Sequence, residues 1–75
     1  MNNSDRKPVD LLTDRELEIL CFVAVGMPND EISQRCDISP KTIKNHLHSI
    51  CRKINASDRF QAMLWAGQHL SKSID

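Results

Sequence analysis

Wound at about 100° per residue, residues 40–54 bring Lys41, Lys44, Asn45, His48 and Arg52 into one arc. These side chains are cations and hydrogen-bond donors, with no Asp or Glu among them. Such a face suits an anionic surface lined with acceptors. The cations can hold phosphates, Lys44 can donate to guanine O6 and N7, and Asn45 can pair with adenine through two bonds. Ile43, Leu47, Ile50, Cys51 and Ile54 occupy the opposite arc, while Thr42, His46, Ser49 and Lys53 form a flank between the two. Bond-making chemistry is not in view. His46, His48 and Ser49 are neighbours on one helix, where their side chains diverge, and the chain has no paired carboxylates or glycine-rich phosphate loop. His48 and Cys51 are spaced to clip a metal, but no second ligand pair completes a site.

A helix read in this way has to be held from behind. Ser39 caps it, and Pro40 sits at its first position, where a missing amide is harmless. Asp37-Ile38-Ser39 is the turn before it. The preceding short helix, 30–36, takes Asn29 as cap and Asp30 and Glu31 at its positive end, and it buries Ile32 and Cys36 with the small Ser33 beside them. Two helices joined by three residues cross steeply, as in a helix-turn-helix. Upstream, Thr13 and Glu16 form a capping box, and Leu12 staples onto Leu17. The helix they start spans 14–25, buries Leu17, Leu20, Cys21 and Ala24, and stops at Gly26. After Asn55, a fourth helix over 58–70 takes Ser57 as cap and carries a core stripe of Ala62, Met63, Ala66 and Leu70. A second stripe, Phe60, Leu64 and Gly67, finds nothing left to cover in so small a domain and is assigned to a homodimer face, the alternative being that Phe60 folds over the core edge and Leu64 is simply exposed. Trp65 lies on neither stripe.

The bulk properties agree with a small all-α unit. Seventy-five residues, 40% apolar and 27% charged, make one globular domain. A chain this short buries only about 60% of its unfolded surface, so a partner would help it. No apolar run reaches the length of a membrane span, and the start of the chain is not a signal peptide. Cys21, Cys36 and Cys51 form no C-x-x-C pair and read as reduced thiols buried as small hydrophobes. The net charge is zero, which argues mildly against nucleic acid, but the charges are segregated. Residues 10–37 hold Asp10, Asp14, Glu16, Glu18, Asp30, Glu31 and Asp37 against Arg15 and Arg35, whereas 38–57 hold Lys41, Lys44, Arg52 and Lys53 and no acid.

Four segments carry a family likeness: L-T-D-R-E-L-E-I-L, G-M-P-N-D-E-I-S, I-S-P-K-T-I-K-N-H-L and R-K-I-N-A-S-D-R-F-Q-A. In sequence and spacing, over about residues 10–70, they resemble the LuxR-type (GerE/NarL-like) helix-turn-helix domain of bacterial transcriptional regulators. The resemblance implies a bundle-like domain of four helices that binds DNA as a dimer through its last helix. It further implies that Lys44, Asn45 and His48 read base edges and that Asn29, Thr42 and His46 contact phosphates. Charge adds Lys41, Arg52 and Lys53 to the phosphate set. Departures stand out. Asp30 occupies a position where Lys is common, Ser33 replaces Ala, Cys36-Asp37 replaces Leu-Gly, and His48 is an unusual base reader.

The expectation is therefore a sequence-specific regulator with helix 3 in the major groove, dimeric on an inverted repeat. Residues 1–9 are a flexible arm or linker remnant, 10–71 the domain and 72–75 a polar tail. Expected partners are double-stranded DNA, a second copy of the chain and RNA polymerase, in the cytoplasm at the nucleoid. No cofactor, metal, membrane or small-molecule ligand is expected. The alternatives are a sigma-factor region 4-like module and a helical protein-interaction domain that has lost DNA binding.

Overall fold

The computed structural model describes residues 8–70. Within them the chain forms a 3-10 turn, Pro8–Leu11, followed by α1 (Asp14–Ala24), α2 (Asn29–Cys36), α3 (Pro40–Ile54) and α4 (Arg59–His69). The expected loose arm 1–9 overlaps the 3-10 turn at its last two residues; residues 1–7, like the polar tail 72–75, lie outside the described residues. The all-helical class is as expected, and α3 is the centre of the packing: α1, α2, α4 and the 3-10 turn all lie against it. None of the described helices is long and apolar enough to cross a membrane.

Helix ends follow local chemistry. The capping box on α1 is complete: the Glu16 amide donates to Thr13 Oγ1 at 3.1 Å and the Thr13 amide to Glu16 Oε1 at 2.9 Å. Gly26, at φ 86°, closes α1 in the left-handed region. At the end of α2 that conformation falls to Asp37, at φ 58°, so an aspartate does the work of the absent glycine in the turn. Asn55 does the same after α3, at φ 60°. Ser39 accepts from the Thr42 amide at 3.1 Å, as its place before Pro40 implies.

Two caps differ from expectation by one residue. Pro28, not Asn29, holds the cap position of α2 and, with no polar group in its side chain, makes no side-chain bond; the Asn29 side chain instead meets Arg59 at the start of α4. For α4 the cap is Asp58 rather than Ser57; its Oδ1 accepts from the Gln61 amide at 2.9 Å, while the Ser57 amide donates to the Gln61 side chain.

The core is built from Ile19, Leu20, Val23, Ile32, Ile43 and Ile50, all wholly enclosed, with Leu12, Cys36, Leu47, Ile54, Ala62 and Ala66 around them. Each enclosed Ile or Leu contributes roughly 2 kcal/mol by burial. On α1 the buried face is Glu16, Ile19, Leu20 and Val23. Of the expected stripe only Leu20 is fully buried, Leu17 and Ala24 are half-buried, and Cys21 is exposed. From Ile19 to Ala24 the helix is apolar all round, so spacing alone does not choose its inner face there. The thiols accordingly divide into a buried Cys36, a half-buried Cys51 and an exposed Cys21. Burial and the Asp58 carboxylate push the Cys51 thiol above its ordinary range.

On α4, Ala62 and Ala66 are buried as expected, whereas Met63 and Leu70 are only half-buried at the edge of the core. Phe60 and Leu64 stay 60% and 52% exposed, so neither folds over the core. Trp65 leans on the core edge and stacks on His69, with ring centroids 4.2 Å apart.

Candidate nucleic-acid interface

The burial of α3 divides it into the three strips expected. Ile43, Leu47, Ile50 and Ile54 are buried; Thr42, His46, Ser49 and Lys53 are half-buried; Lys41, Lys44, Asn45, His48 and Arg52 are exposed. Only Cys51, expected in the core, sits at its margin, with Sγ 3.7 Å from the Asp58 carbonyl. The side chains of Lys41, Lys44, Asn45, His48 and Arg52 have no hydrogen bond or ion pair among the described residues. The outer face is thus a set of donors held on a helix whose inner face is locked, which is what recognition of an acceptor-rich surface requires.

The half-buried flank is organised by a residue that sequence reasoning placed only in a cap. Glu16 is 5% exposed. Its carboxylate accepts from the Thr13 amide, from Ser49 Oγ at 2.9 Å and from Lys53 Nζ at 2.8 Å. Burial by itself raises the carboxyl pKa. The Lys53 hydrogen bond, the Thr13 amide, the Ser49 hydroxyl and the Lys53 charge together outweigh it and hold the group below its ordinary 4.5. Glu16 therefore stays ionised and ties the roll of α3 to the start of α1. The signal for this was available: Glu16, Leu20 and Val23 share one helical face, so a carboxylate on that face needs a cationic partner.

Of the residues expected to hold phosphates, Lys41 and Arg52 are exposed and without a partner among the described residues. His46 is half-buried, and the Thr42 hydroxyl lies 2.9 Å from Ser39 Oγ. Lys53 is committed to Glu16. Asn29 is remote from α3 in sequence; its side-chain oxygen accepts from Arg59 Nη1, and Nη2 donates to the Met27 carbonyl. Arg15 ties α1 to α2 by donating to the Cys36 carbonyl at 3.3 Å. Beside Asn45, His48 and Arg52, the flank of α3 opens into a shallow concavity of about 370 Å³. The exposed Phe60 and Leu64 lie on α4, away from this face in the chain, and a second hollow of about 300 Å³ adjoins Leu64 and Trp65. A Cβ added to Gly67 would meet no atom within 4 Å. Among the described residues no group of His, Cys, Asp and Glu could hold a metal ion.

Residues 10–66 match the model of the family described as bacterial regulatory proteins, luxR family. The chain is 42% identical over 72 residues to the response regulator protein VraR of Staphylococcus aureus, a match covering 92% of this chain and 34% of the relative. The same protein from Staphylococcus epidermidis gives the same values, and that from Staphylococcus saprophyticus is 43% identical over 60 residues, 80% of this chain and 29% of its own length. The chain thus spans about a third of the length of the curated relatives it matches.

Proposed function

This chain belongs to the luxR family of bacterial regulatory proteins, regulators rather than enzymes, and we propose that it is a sequence-specific DNA-binding output domain acting at the nucleoid. The observation that carries the proposal is the outer face of α3: Lys41, Lys44, Asn45, His48 and Arg52, all exposed and none bonded within the described residues. With α3 in the major groove, Lys44 donates to guanine and Asn45 pairs with adenine, each giving about 1–3 kcal/mol of discrimination. His48 completes the base-reading set. Lys41 and Arg52, with Asn29, Thr42 and His46, hold phosphates and set the register. Lys53 acts from behind through Glu16, keeping α3 at the correct roll.

Phe60, Leu64 and Gly67 form the face that meets a second copy of the chain. Two-fold pairing through α4 calls for an inverted repeat with half-sites about one helical turn apart. The relatives are named response regulators, so the input would come from a second domain and the output would be passed to RNA polymerase.

Fluorescence anisotropy against a randomised duplex pool at two salt concentrations, with recovery of the bound sequences, tests the proposal. Saturable, salt-weakened binding that enriches an inverted repeat is expected. Leu64→Asp should abolish both dimer and specific binding. No binding at tens of micromolar in low salt, with Leu64→Asp still disrupting a protein contact, would turn the domain into a protein-interaction module.

A further inference from the structure

We infer that Arg59 belongs to the DNA interface: it supplies the positive charge that the first turn of α2 lacks and aims the Asn29 amide at a backbone phosphate. The inference rests on the DNA-binding function proposed above and goes beyond it, because Arg59 lies on α4, outside the helix-turn-helix.

The electrostatics of α2 create the need. Its first turn carries Asp30 and Glu31 and no cation. Asp30 Oδ1 already accepts from the Glu31 amide at 3.0 Å. Arg35, at the far end of the helix, is paired with Glu31 at 3.6 Å. A phosphate approaching Asn29 would therefore meet two carboxylates, and Asn29 alone offers only a neutral amide against them.

Arg59 changes both the charge and the geometry at that spot. Its Nη1 donates to Asn29 Oδ1 and its Nη2 to the Met27 carbonyl. With the Asn29 oxygen occupied, the NH₂ end is the one left to point away, and a donor is what a phosphate accepts. A guanidinium has N–H groups beyond the two in use, and this side chain is exposed. The same fork can hold Asn29 and reach the phosphate; a lysine could supply the charge but not bridge two acceptors in one plane. The neighbouring Asp58 carboxylate caps α4 by accepting from the Gln61 amide through Oδ1, and no ion pair joins it to Arg59 among the described residues.

The test measures binding by Arg59→Met, Arg59→Lys, Asn29→Ala and the Arg59→Met/Asn29→Ala double variant. Each is titrated with the recovered operator and with an unrelated duplex over a salt series, and melted without DNA. Arg59→Met should weaken both duplexes by a similar factor and lower the slope of log K against log salt by about one. Asn29→Ala should add little to it, the sign of coupled residues. Arg59→Lys should keep the slope and recover only part of the affinity. A lower melting temperature with an unchanged salt slope would overturn the inference, leaving Arg59 as a strut between α4 and α2. Should Arg59→Met not fold, Asn29→Asp keeps the acceptor for Arg59 and removes the donor; unchanged DNA affinity in that variant would overturn it equally. Absence of any binding by the wild-type chain is the separate failure of the function itself.

Discussion

Arg52 and Lys53 are consecutive residues of α3 and end in different surroundings. Arg52 stands on the outer face with no partner among the described residues. Lys53, one step round the helix, lies half-buried against Glu16, 2.8 Å from its carboxylate. The seam between α1 and α3 satisfies its polar groups internally: amide, hydroxyl and ammonium all converge on one enclosed anion. The outer face satisfies none of its own. The difference teaches that a cation's type and helix do not settle its role. A buried partner turns Lys53 into part of the scaffold, and the lack of one leaves Arg52 available to a ligand.

Removing the seam should have the largest effect. Glu16→Ala takes the acceptor from Thr13, Ser49 and Lys53 together and should destabilise the domain by about 3 kcal/mol in urea unfolding. That is a large share of the stability of so small a domain. Its pH dependence sharpens the comparison. The folded pKa of Glu16 is lowered, so its contribution is complete above the ordinary 4.5 and disappears as pH falls from there through the folded value. Wild-type melting temperature should drop in that window, and Glu16→Gln should start lower and fall less steeply. An equal pH slope in both would remove the seam's claim to be electrostatic.

On the outer face, Lys44→Ala should do the reverse. Stability should stay within about 0.5 kcal/mol, while specific affinity falls about tenfold and non-specific affinity much less. Equal loss on all duplexes would reduce Lys44 to a phosphate contact. The finest distinction lies between the neighbours. Arg52→Gln should lower the salt slope of binding by about one, and Lys53→Gln should leave it unchanged once compared at equal folded fraction. A drop for Lys53→Gln would show that DNA draws its ammonium away from Glu16.

Legibility in the sequence varied with the kind of contact. α3 could be read strip by strip because its apolar and polar residues alternate at the helical period, down to the half-buried Thr42, His46, Ser49 and Lys53. α1 could not, since the unbroken apolar run Ile19, Leu20, Cys21, Phe22, Val23 and Ala24 leaves its second half without a polar side; on this helix the buried Glu16 marks the inner face. The caps slipped by one residue where neighbouring residues both suit the position, as Ser57 and Asp58 do before α4, and the side chain of Asn29 is engaged by Arg59 from thirty residues away. The exposure of Phe60 and Leu64 followed from counting: a core of this size was already full.

The segregation of charge has a consequence for how such a domain finds its target. A chain of zero net charge feels little pull from a distant duplex, but one with acids on α1 and α2 and cations on α3 feels a torque. Within about a Debye length, some 10 Å at 0.1 M salt, the field of a phosphate backbone would turn the molecule so that α3, the helix proposed to enter the groove, leads. Approach then becomes a matter of alignment more than attraction, and a mutation that moved one acid to the α3 side would slow productive encounter while the net charge stayed the same.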